Sequence, residues 1–353
     1  MRQTETCPDK ATLVFRRNPA SLPNCYESDT GVRRGTLYRG GAGVTQIANP
    51  SVIICTAADS GYFGLLQGLM DSLAAGPMAR TLPVGILDLG LLPEQRDWLK
   101  ARGAILVEPH WDLDFPGRAT VPTHYRAMTA RPFLPRHFPG HDVILWLDAD
   151  TWVQDDSVLP WFIAAAAQGK LAIVPELDRG YWTMFKPPKL WGQNQKAFAW
   201  GYGMRAGYRL GRNPILNSGA FALAANAPHW ALWAEAHRRA LHRRRLRSIM
   251  ARPMYFFIAE QTALNYVVFG ERQPHTFLPA IANWFVAKGH PKWDAERGLL
   301  VEPHAPYRPL GVVHLAGANV KERVWSLATL DGGTVELRTT WAEANALRQG
   351  TGM

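Results

Sequence analysis

Short unbroken apolar runs alternate with segments of helical periodicity in the first half of this sequence. The runs are 52–55, 84–87, 104–107 and 143–147. Runs this short predict strands buried on both faces, as in a parallel sheet. Between them, apolar residues recur at helical spacing over 63–73, and Pro93 and Gly103 mark the two ends of a second helix. This alternation predicts an α/β fold, with a Rossmann-like, mainly parallel sheet flanked by helices.

The second half of the chain predicts further helices and strands around one long stretch without a period. The predicted helices are 158–168 and 258–269, and the predicted strands are 171–174, 217–223 and 312–315. Residues 176–213 are rich in Trp, Tyr, Gly, Lys and Pro, and we interpret them as irregular. A stretch of this length is functional or disordered, and its aromatic residues argue against disorder.

These patterns predict one large domain over residues 50–325. Residues 1–49 have no clear period and predict an irregular extension, and residues 326–353 are interpreted as a C-terminal tail. No apolar run is long enough to span a bilayer, and the first thirty residues lack the apolar segment of a signal peptide. We therefore expect a cytoplasmic protein.

The charge of the chain favours anionic partners. The formal net charge is +10 and the isoelectric point is about 9.7, which by itself suits nucleotides, nucleic acid or an acidic membrane surface. The densest basic run is 237–247. It has two interpretations, a solvated helix face or a contact with a polyanion or with the inner face of a membrane. We do not expect nucleic acid as a partner.

The clearest candidate chemistry is the acidic pair that follows the run 143–147. Asp148 and Asp150 are two positions apart, so in an extended chain their side chains point the same way. Open α/β sheets bind ligands outside the carboxyl ends of their strands. Two carboxylates there suit a divalent cation that carries phosphates. The other interpretation is a turn or helix cap, which is what we expect of the nearby Asp155 and Asp156.

Five segments in this order resemble the GT-A glycosyltransferases. The closest resemblance is to family 8, the retaining group that includes bacterial lipopolysaccharide galactosyltransferases and the glycogenins. The segments are 56–62, Arg131 ahead of 143–150, 217–219, 260–261 with 264–265, and 314–317 with Lys321. The resemblance covers about residues 51–325. It implies a GT-A fold and a metal-dependent enzyme that moves a hexose from a UDP-sugar to a hydroxyl acceptor, expected to be a glycan, with retention of anomeric configuration.

The resemblance implies a metal site made of Asp148, Asp150 and His314. The expected ion is Mn²⁺, with Mg²⁺ as the other candidate, because carboxylates suit both ions and an imidazole favours Mn²⁺. The donor diphosphate would complete the coordination shell. The alternative for His314 is a hydrogen-bonded core histidine.

Five further residues are implied to bind the donor. They are Ala57, Asp59, Arg131, Gly317 and Lys321. Asp59 would face the uracil and ribose, Arg131 would reach over the sugar and phosphates, and Lys321 would meet the diphosphate. Alternatives are a helix cap for Asp59 and a surface ion pair for Arg131.

One position departs from the family pattern. The family lysine usually stands three residues after the glycine, where this chain has Val320, and Lys321 comes one residue later.

Three residues are implied to act at the sugar, together with Asp148. Gln261 would lie beneath the anomeric carbon, Glu260 would orient the sugar hydroxyls, and Asn217 would contact the donor sugar or the acceptor. Glu260 has an alternative as a residue that stabilises the positive end of its helix.

The acceptor side is expected in 176–213 and 283–310. Sugar faces pack on aromatic rings, so Trp182 or Trp191 could contact the acceptor, and the alternative is a hydrophobic cover over the sheet.

Two other functions remain open on the sequence. A nucleotide-sugar pyrophosphorylase should carry a glycine-rich basic loop after the first strand, and residues 56–59 contain no basic residue. A non-enzymatic polyanion-binding protein would explain the charge, and its binding would weaken with salt and ignore Mn²⁺.

Overall fold

The computed structural model describes residues 47–243, 253–317 and 319–350, without the side chains of 253–258. Most of the predicted N-terminal extension and part of the basic run lie outside the described residues. The strands are β1 (Val52–Ala58), β2 (Val84–Asp88), β3 (Ile105–Val107), β4 (Val143–Leu147), β5 (Thr151–Val153), β6 (Leu171–Pro175), β7 (Leu216–Ala224), β8 (His275–Phe277), β9 (Trp284–Phe285), β10 (Lys292–Asp294), β11 (Leu299–Val301), β12 (Val312–His314), β13 (Trp325–Ala328) and β14 (Thr334–Leu337). The α-helices are α1 (Phe63–Ala75), α2 (Pro93–Lys100), α3 (Arg126–Ala130), α4 (Leu134–His137), α5 (Leu159–Ala167), α6 (Pro187–Tyr202), α7 (Met204–Leu210), α8 (His229–His242), α9 (Pro253–Phe269) and α10 (Trp341–Gly350).

A seven-stranded sheet in the order β3-β2-β1-β4-β7-β6-β8 forms the centre of the described fold. Only β7 runs against the other strands, because it pairs antiparallel with both β4 and β6. The remaining pairings are parallel. The predicted mainly parallel α/β sheet is therefore confirmed.

The central strand β4 explains why its sequence is apolar throughout. Val143, Leu145 and Leu147 belong to the core on one face of the sheet, which includes residues of α1 and α5. Ile144 and Trp146 belong to the core on the other face, which includes residues of α8 and α9. A strand covered on both faces has no position for a polar side chain, so the run ends where the strand leaves the core.

A second sheet of three strands, in the order β5-β12-β9, extends the fold at the carboxyl end of β4. Strand β12 pairs antiparallel with β5, so that His314 lies opposite Thr151. It also pairs parallel with β9, so that His314 lies opposite Phe285. This register brings His314, which lies far from the acidic pair in the sequence, next to that pair.

The interpretation of 176–213 as irregular is wrong. Most of this stretch forms α6 and α7, and two prolines occupy the start of α6, where a missing backbone N–H costs nothing. Gly207 and Gly211 resemble helix breakers in the sequence, but they let the two helices approach closely. A Cβ atom on Gly207 would lie 2.7 Å from the carbonyl oxygen of Gln195.

The C-terminal segment, which gave no pattern, packs on the second sheet. Strands β13 and β14 form a hairpin, and α10 follows. The indole N–H of Trp152 donates to the Thr339 carbonyl oxygen at 2.8 Å, and the ring of Trp152 meets that of Trp341 edge-on at 5.5 Å. Among the described helices, none has the length and apolar character needed to cross a membrane.

Candidate active site

Three strands place functional side chains at one edge of the central sheet. Strands β1 and β4 end there, and the antiparallel β7 begins there. The backbone N–H of Asp148 donates to the Gly219 carbonyl oxygen at 2.8 Å, which joins the end of β4 to the start of β7. Asp148 and the segment Asn217-Ser218-Gly219 are therefore neighbours although they lie far apart in the sequence.

Asp148, Asp150 and His314 converge at this edge. One ligand atom from each lies within 4.8 Å of the others. The Nε2 atom of His314 is 3.3 Å from Asp150 Oδ1 and 4.0 Å from Asp148 Oδ2. Burial by itself would raise the pKa of Asp150, but His314 and Lys321 lower it. Two carboxylates and an imidazole around one point could hold a divalent cation.

Gly219 leaves the space that this cluster needs. A Cβ atom at this position would lie 2.4 Å from His314 Cε1 and 2.7 Å from Asp148 Oδ2. No other residue type fits beside the imidazole and the carboxylate without displacing one of them. The glycine is thus required by packing against the cluster rather than by backbone conformation.

Arg131 is buried at the centre of the site, so its interpretation as a surface ion pair is wrong. Its Nη1 donates to Ser218 Oγ at 3.1 Å and to Glu260 Oε2 at 3.2 Å, and its Nη2 pairs with Asp148. The guanidinium lies over the Trp146 ring, 4.6 Å from its centre. The arginine therefore fixes one oxygen of Asp148 and leaves the other for the cluster.

Glu260 is buried on α9 and faces the same arginine. Helix α9 begins at Pro253, so Glu260 is not in its first turn, and the helix-terminus explanation for this acid is wrong. Burial raises the pKa of Glu260 to about 7, although Arg131 and the Ser218 hydroxyl lower it. Glu260 Oε1 has no hydrogen-bond partner among the described residues.

Gln261 lies next to the start of β7 with its amide orientation set by a main-chain group. Its Oε1 accepts from the Ser218 backbone N–H at 3.2 Å and from Asn217 Nδ2 at 3.1 Å. The backbone N–H can only donate, so the oxygen of Gln261 must face it. The NH₂ end is then the end that can donate to a bound ligand.

A first cavity, of about 170 Å³, opens on the β1 side of the acidic pair. It is lined by Ala57, Ala58, Asp59, Tyr62, Leu89, His124, Ala127, Met128, Arg131, Trp146, Asp148, Ala149 and Asp150. Asp59 Oδ1 accepts the Tyr62 N–H at 3.0 Å, so the predicted cap is present, while Oδ2 lies 3.8 Å from His124 Nδ1. Asp59 therefore combines a capping role with a position in the cavity wall.

A second cavity, of about 300 Å³, opens on the β7 side. It is lined by Met128, Arg131, Asp148, Asp150, Asn217, Ser218, Gly219, Glu260, Gln261, His314, Ala316 and Gly317. Both cavities share Arg131, Asp148 and Asp150, so the acidic pair lies between them. Two compartments on either side of a candidate cation site fit a ligand with two different ends joined by phosphates.

Lys321 and Val320 take different environments in the turn after β12. Val320 is buried, while Lys321 is half-buried with its Nζ 3.8 Å from the centre of the Tyr62 ring. Lys321 is also one of the cations that lower the pKa of Asp150. The shift of the lysine by one position therefore keeps a positive charge near the acidic pair.

Three polar residues of the site were not predicted from the sequence. Glu176 accepts from Asn217 Nδ2 at 3.2 Å and pairs with Lys288, and Asn283 contacts His314. Glu176 directly follows the apolar strand β6. A search for acids that come directly after buried strands, which found the acidic pair, could therefore also have found Glu176. Lys288 and Asn283 lie in turns beside β9, which has no recognisable pattern.

The described part of the basic run is a helix face with paired charges. On α8, His237 and Leu241 are buried, and Arg238 pairs with Glu235 at 2.8 Å. Arg239 lies 3.9 Å from Glu271. Residues 244–247 of this run lie outside the described residues.

No model of a known protein family matches the chain, and no curated protein matches it. Several solved structures, however, are similar to the chain. The chain is 19% identical to the galactosyltransferase LgtC in complex with donor and acceptor sugar analogs, with a TM-score of 0.46, over 85% of this chain and 95% of that one.

Two further solved structures are similar to the chain. The WbbM bifunctional glycosyltransferase is 12% identical, with a TM-score of 0.49, over 78% of this chain and 47% of that one. Mouse xyloside xylosyltransferase 1 is 12% identical, with a TM-score of 0.45, over 76% and 97%. All three of these proteins are glycosyltransferases by name. At such low similarity they carry no argument about activity, which must come from the site.

Replacing Gly219 tests whether the cluster needs the space beside it. We expect Gly219→Ala to weaken Mn²⁺ binding at least tenfold, because the new Cβ atom displaces the imidazole or the carboxylate. Titration calorimetry measures the affinity. The control is Gly64→Ala on α1, where a Cβ atom meets nothing within 4 Å. Unchanged Mn²⁺ binding in Gly219→Ala would contradict the assignment of Mn²⁺ to the Asp148, Asp150 and His314 cluster.

The pKa of Glu260 gives a pH dependence of stability with a definite sign. A carboxyl with a pKa of about 7 in the folded protein keeps a proton that the unfolded chain releases near pH 4.5. The free energy of unfolding should therefore fall as pH rises from about 4.5 to 7, by up to about 3 kcal/mol relative to Glu260→Gln. Urea unfolding of the unaltered protein and of Glu260→Gln across this range measures the difference. The control is Glu94→Gln, since Glu94 is exposed on α2. A difference that grows with pH would contradict the raised pKa.

Proposed function

We propose that this protein is a metal-dependent retaining glycosyltransferase that moves a hexose from a UDP-sugar to a hydroxyl acceptor. The observation that carries the proposal is the position of Asp148, Asp150 and His314 between two cavities of different character. One cavity suits a nucleoside and the other, lined by amide and carboxyl groups, suits a sugar. A diphosphate that joins the two would lie at the cluster.

The residues at the cluster fit a divalent cation. Asp148 Oδ2, Asp150 Oδ1 and His314 Nε2 point to one place, and Gly219 keeps that place clear of a side chain. The donor set of two carboxylates and one imidazole favours Mn²⁺ over Mg²⁺. When bound, the cation would neutralise the charge that grows on the departing diphosphate.

Ala57, Asp59, Arg131, Gly317 and Lys321 would bind the donor. We assign the nucleoside to the first cavity, where Asp59 Oδ2 could accept from a ribose hydroxyl or the uracil. Arg131 lines both cavities and would lie over the sugar and the phosphates, while Gly317 lines the second. Lys321, near Asp150, would add a positive charge at the diphosphate.

The sugar would occupy the second cavity beside Asn217, Glu260 and Gln261. Gln261 would present its NH₂ group there, because its oxygen is held by Ser218 and Asn217. One oxygen of Glu260 accepts from Arg131 and Ser218. Gln261 is an amide whose oxygen is already engaged, so it offers no free nucleophilic oxygen, which supports a same-face displacement in which the departing phosphate accepts the acceptor's proton.

We place the acceptor on the far side of Gly317. A cavity of about 590 Å³ there is lined by Ala287, Asn319, Val320, Glu322, Arg323 and Trp325. The half-exposed Trp182 stands beside it, since its indole N–H donates to the Ala287 carbonyl oxygen at 3.0 Å. Trp191 is exposed on α6. Of the two candidates, Trp182 is the better supported acceptor contact.

The two other functions have less support. A pyrophosphorylase would require a basic residue in the loop after β1, and that loop carries none. A polyanion-binding protein needs a free cationic surface, and two arginines of the basic run, Arg238 and Arg239, are paired with acids. Contact of residues 237–247 with an acidic membrane surface stays a prediction.

Binding of UDP should require the metal. Titration calorimetry should give UDP binding with Mn²⁺ and at least tenfold weaker binding without it, because the diphosphate otherwise faces two carboxylates. Asp150→Ala should remove the metal dependence. The control is Asp97→Ala, an exposed aspartate on α2. UDP binding that ignores Mn²⁺ would exclude the proposed mechanism and favour the polyanion-binding function.

Replacing Trp182 separates acceptor binding from donor chemistry. Trp182→Ala should leave Mn²⁺-dependent hydrolysis of the UDP-sugar within about twofold of the unaltered protein and raise the KM for a glycan acceptor by roughly tenfold, the loss of about 1.4 kcal/mol. The control is Trp161→Ala, an exposed tryptophan on α5. An unchanged acceptor KM in a folded Trp182→Ala protein would remove Trp182 from the acceptor site.

A further inference from the structure

Asn283 is a buried amide that bonds at both ends within the site. Its Oδ1 lies 2.9 Å from His314 Nδ1, and its Nδ2 donates to Asn217 Oδ1 at 3.1 Å. It closes the 3₁₀ turn before β9 and is fully buried. It therefore links a candidate metal ligand to a residue of the candidate sugar cavity.

The orientation of both amides follows from one main-chain group. The Gly219 backbone N–H donates at 2.8 Å to Asn217 Oδ1, and a backbone N–H can only donate. Asn217 must therefore present its oxygen on that side. Glu176 confirms this orientation, because it accepts from Asn217 Nδ2 at 3.2 Å and could not accept from an oxygen.

The fixed oxygen of Asn217 then determines Asn283. Two amide oxygens cannot hydrogen-bond to each other, so Asn283 must turn its NH₂ group toward Asn217 and its oxygen toward His314. An oxygen that faces His314 Nδ1 requires a proton on that nitrogen. The neutral imidazole then carries its single proton on Nδ1 and presents the lone pair of Nε2 to the acidic pair.

We propose that Asn283 is a positioning residue that, through Asn217 and the Gly219 backbone N–H, holds His314 in the tautomer that can bind a cation. We call this series of hydrogen bonds the amide relay, and its members are Gly219, Asn217, Asn283 and His314. The inference rests on the proposed metal site for its purpose, but the tautomer itself can be measured without any metal.

The relay opposes a competing arrangement. Asp150 Oδ1 lies 3.3 Å from His314 Nε2 and would accept a proton placed there. Two carboxylates on that side favour the tautomer with the proton on Nε2, which blocks the nitrogen that the cation needs. Asn283 offers an acceptor on the opposite side of the ring and keeps the proton there.

The test is a long-range ¹H–¹⁵N correlation spectrum of the metal-free full chain with ¹⁵N-labelled histidine, at a pH where the ring carries one proton. In the unaltered protein, His314 should carry that proton on Nδ1. Asn283→Leu should move it to Nε2. Asn283→Asp, which keeps an oxygen against Nδ1, should retain it. Asn217→Leu should shift it toward Nε2, although Asn217 makes no hydrogen bond to the imidazole.

Mn²⁺ titration provides the second readout. Asn283→Leu should lower the affinity for Mn²⁺ by roughly 10- to 100-fold, the usual effect of removing a hydrogen-bond partner of a metal histidine. Asn283→Asp should retain most of the Mn²⁺ affinity of the unaltered protein. A merely structural role for Asn283 would lower the melting temperature without changing the tautomer.

Two outcomes would overturn the relay. One is a proton on Nε2 of His314 in the unaltered protein, which needs no variant to fold. The other is an Asn283→Leu protein that keeps the proton on Nδ1. If the unaltered protein binds no Mn²⁺ but His314 holds its proton on Nδ1, the proposed function fails while the relay stands.

Discussion

The site depends on the register between β12 and β5. His314 lies opposite Thr151, and the backbone N–H of Leu315 donates to the Asp150 carbonyl oxygen at 2.9 Å. A slip of one residue would turn the imidazole to the other face of the small sheet. The register is held by the core beneath it, where Trp152 and Val313 are buried with residues of β9 and α10. Strands β5 and β9, which have no recognisable sequence pattern, thus help to fix the position of the histidine.

Charge is distributed in the site so that a cation could be held at one place. Arg131 is shared between Asp148 and Glu260, so replacing the arginine would leave both acids without their cation, at a cost of about 3–5 kcal/mol. Because Arg131 occupies one oxygen of Asp148, only the other oxygen faces Asp150 and His314. Arg131 and a bound cation would therefore contact different oxygens of Asp148.

Backbone donors of β7 orient the amides of the site. The N–H of Ser218 faces Gln261, and that of Gly219 faces Asn217. An amide side chain can present either end, and a main-chain N–H removes that freedom. This explains why β7, the only antiparallel strand of the central sheet, is useful there: its first residues lie beside the carboxyl ends of its neighbours.

The sequence by itself determined most strands of the central sheet, the acidic pair and the order of the motif segments, because apolar runs and i, i+2 spacing are local properties. It did not determine the helices of 176–213, since their glycines serve packing between two helices and resemble breakers when read singly. Glu176 follows a strand and was within reach of the same rule, whereas Asn283 and Lys288 were not. Only the tertiary structure decided which end of each amide faces the site and that Arg131 is buried, because those facts depend on partners distant in the chain and on the exclusion of water around them.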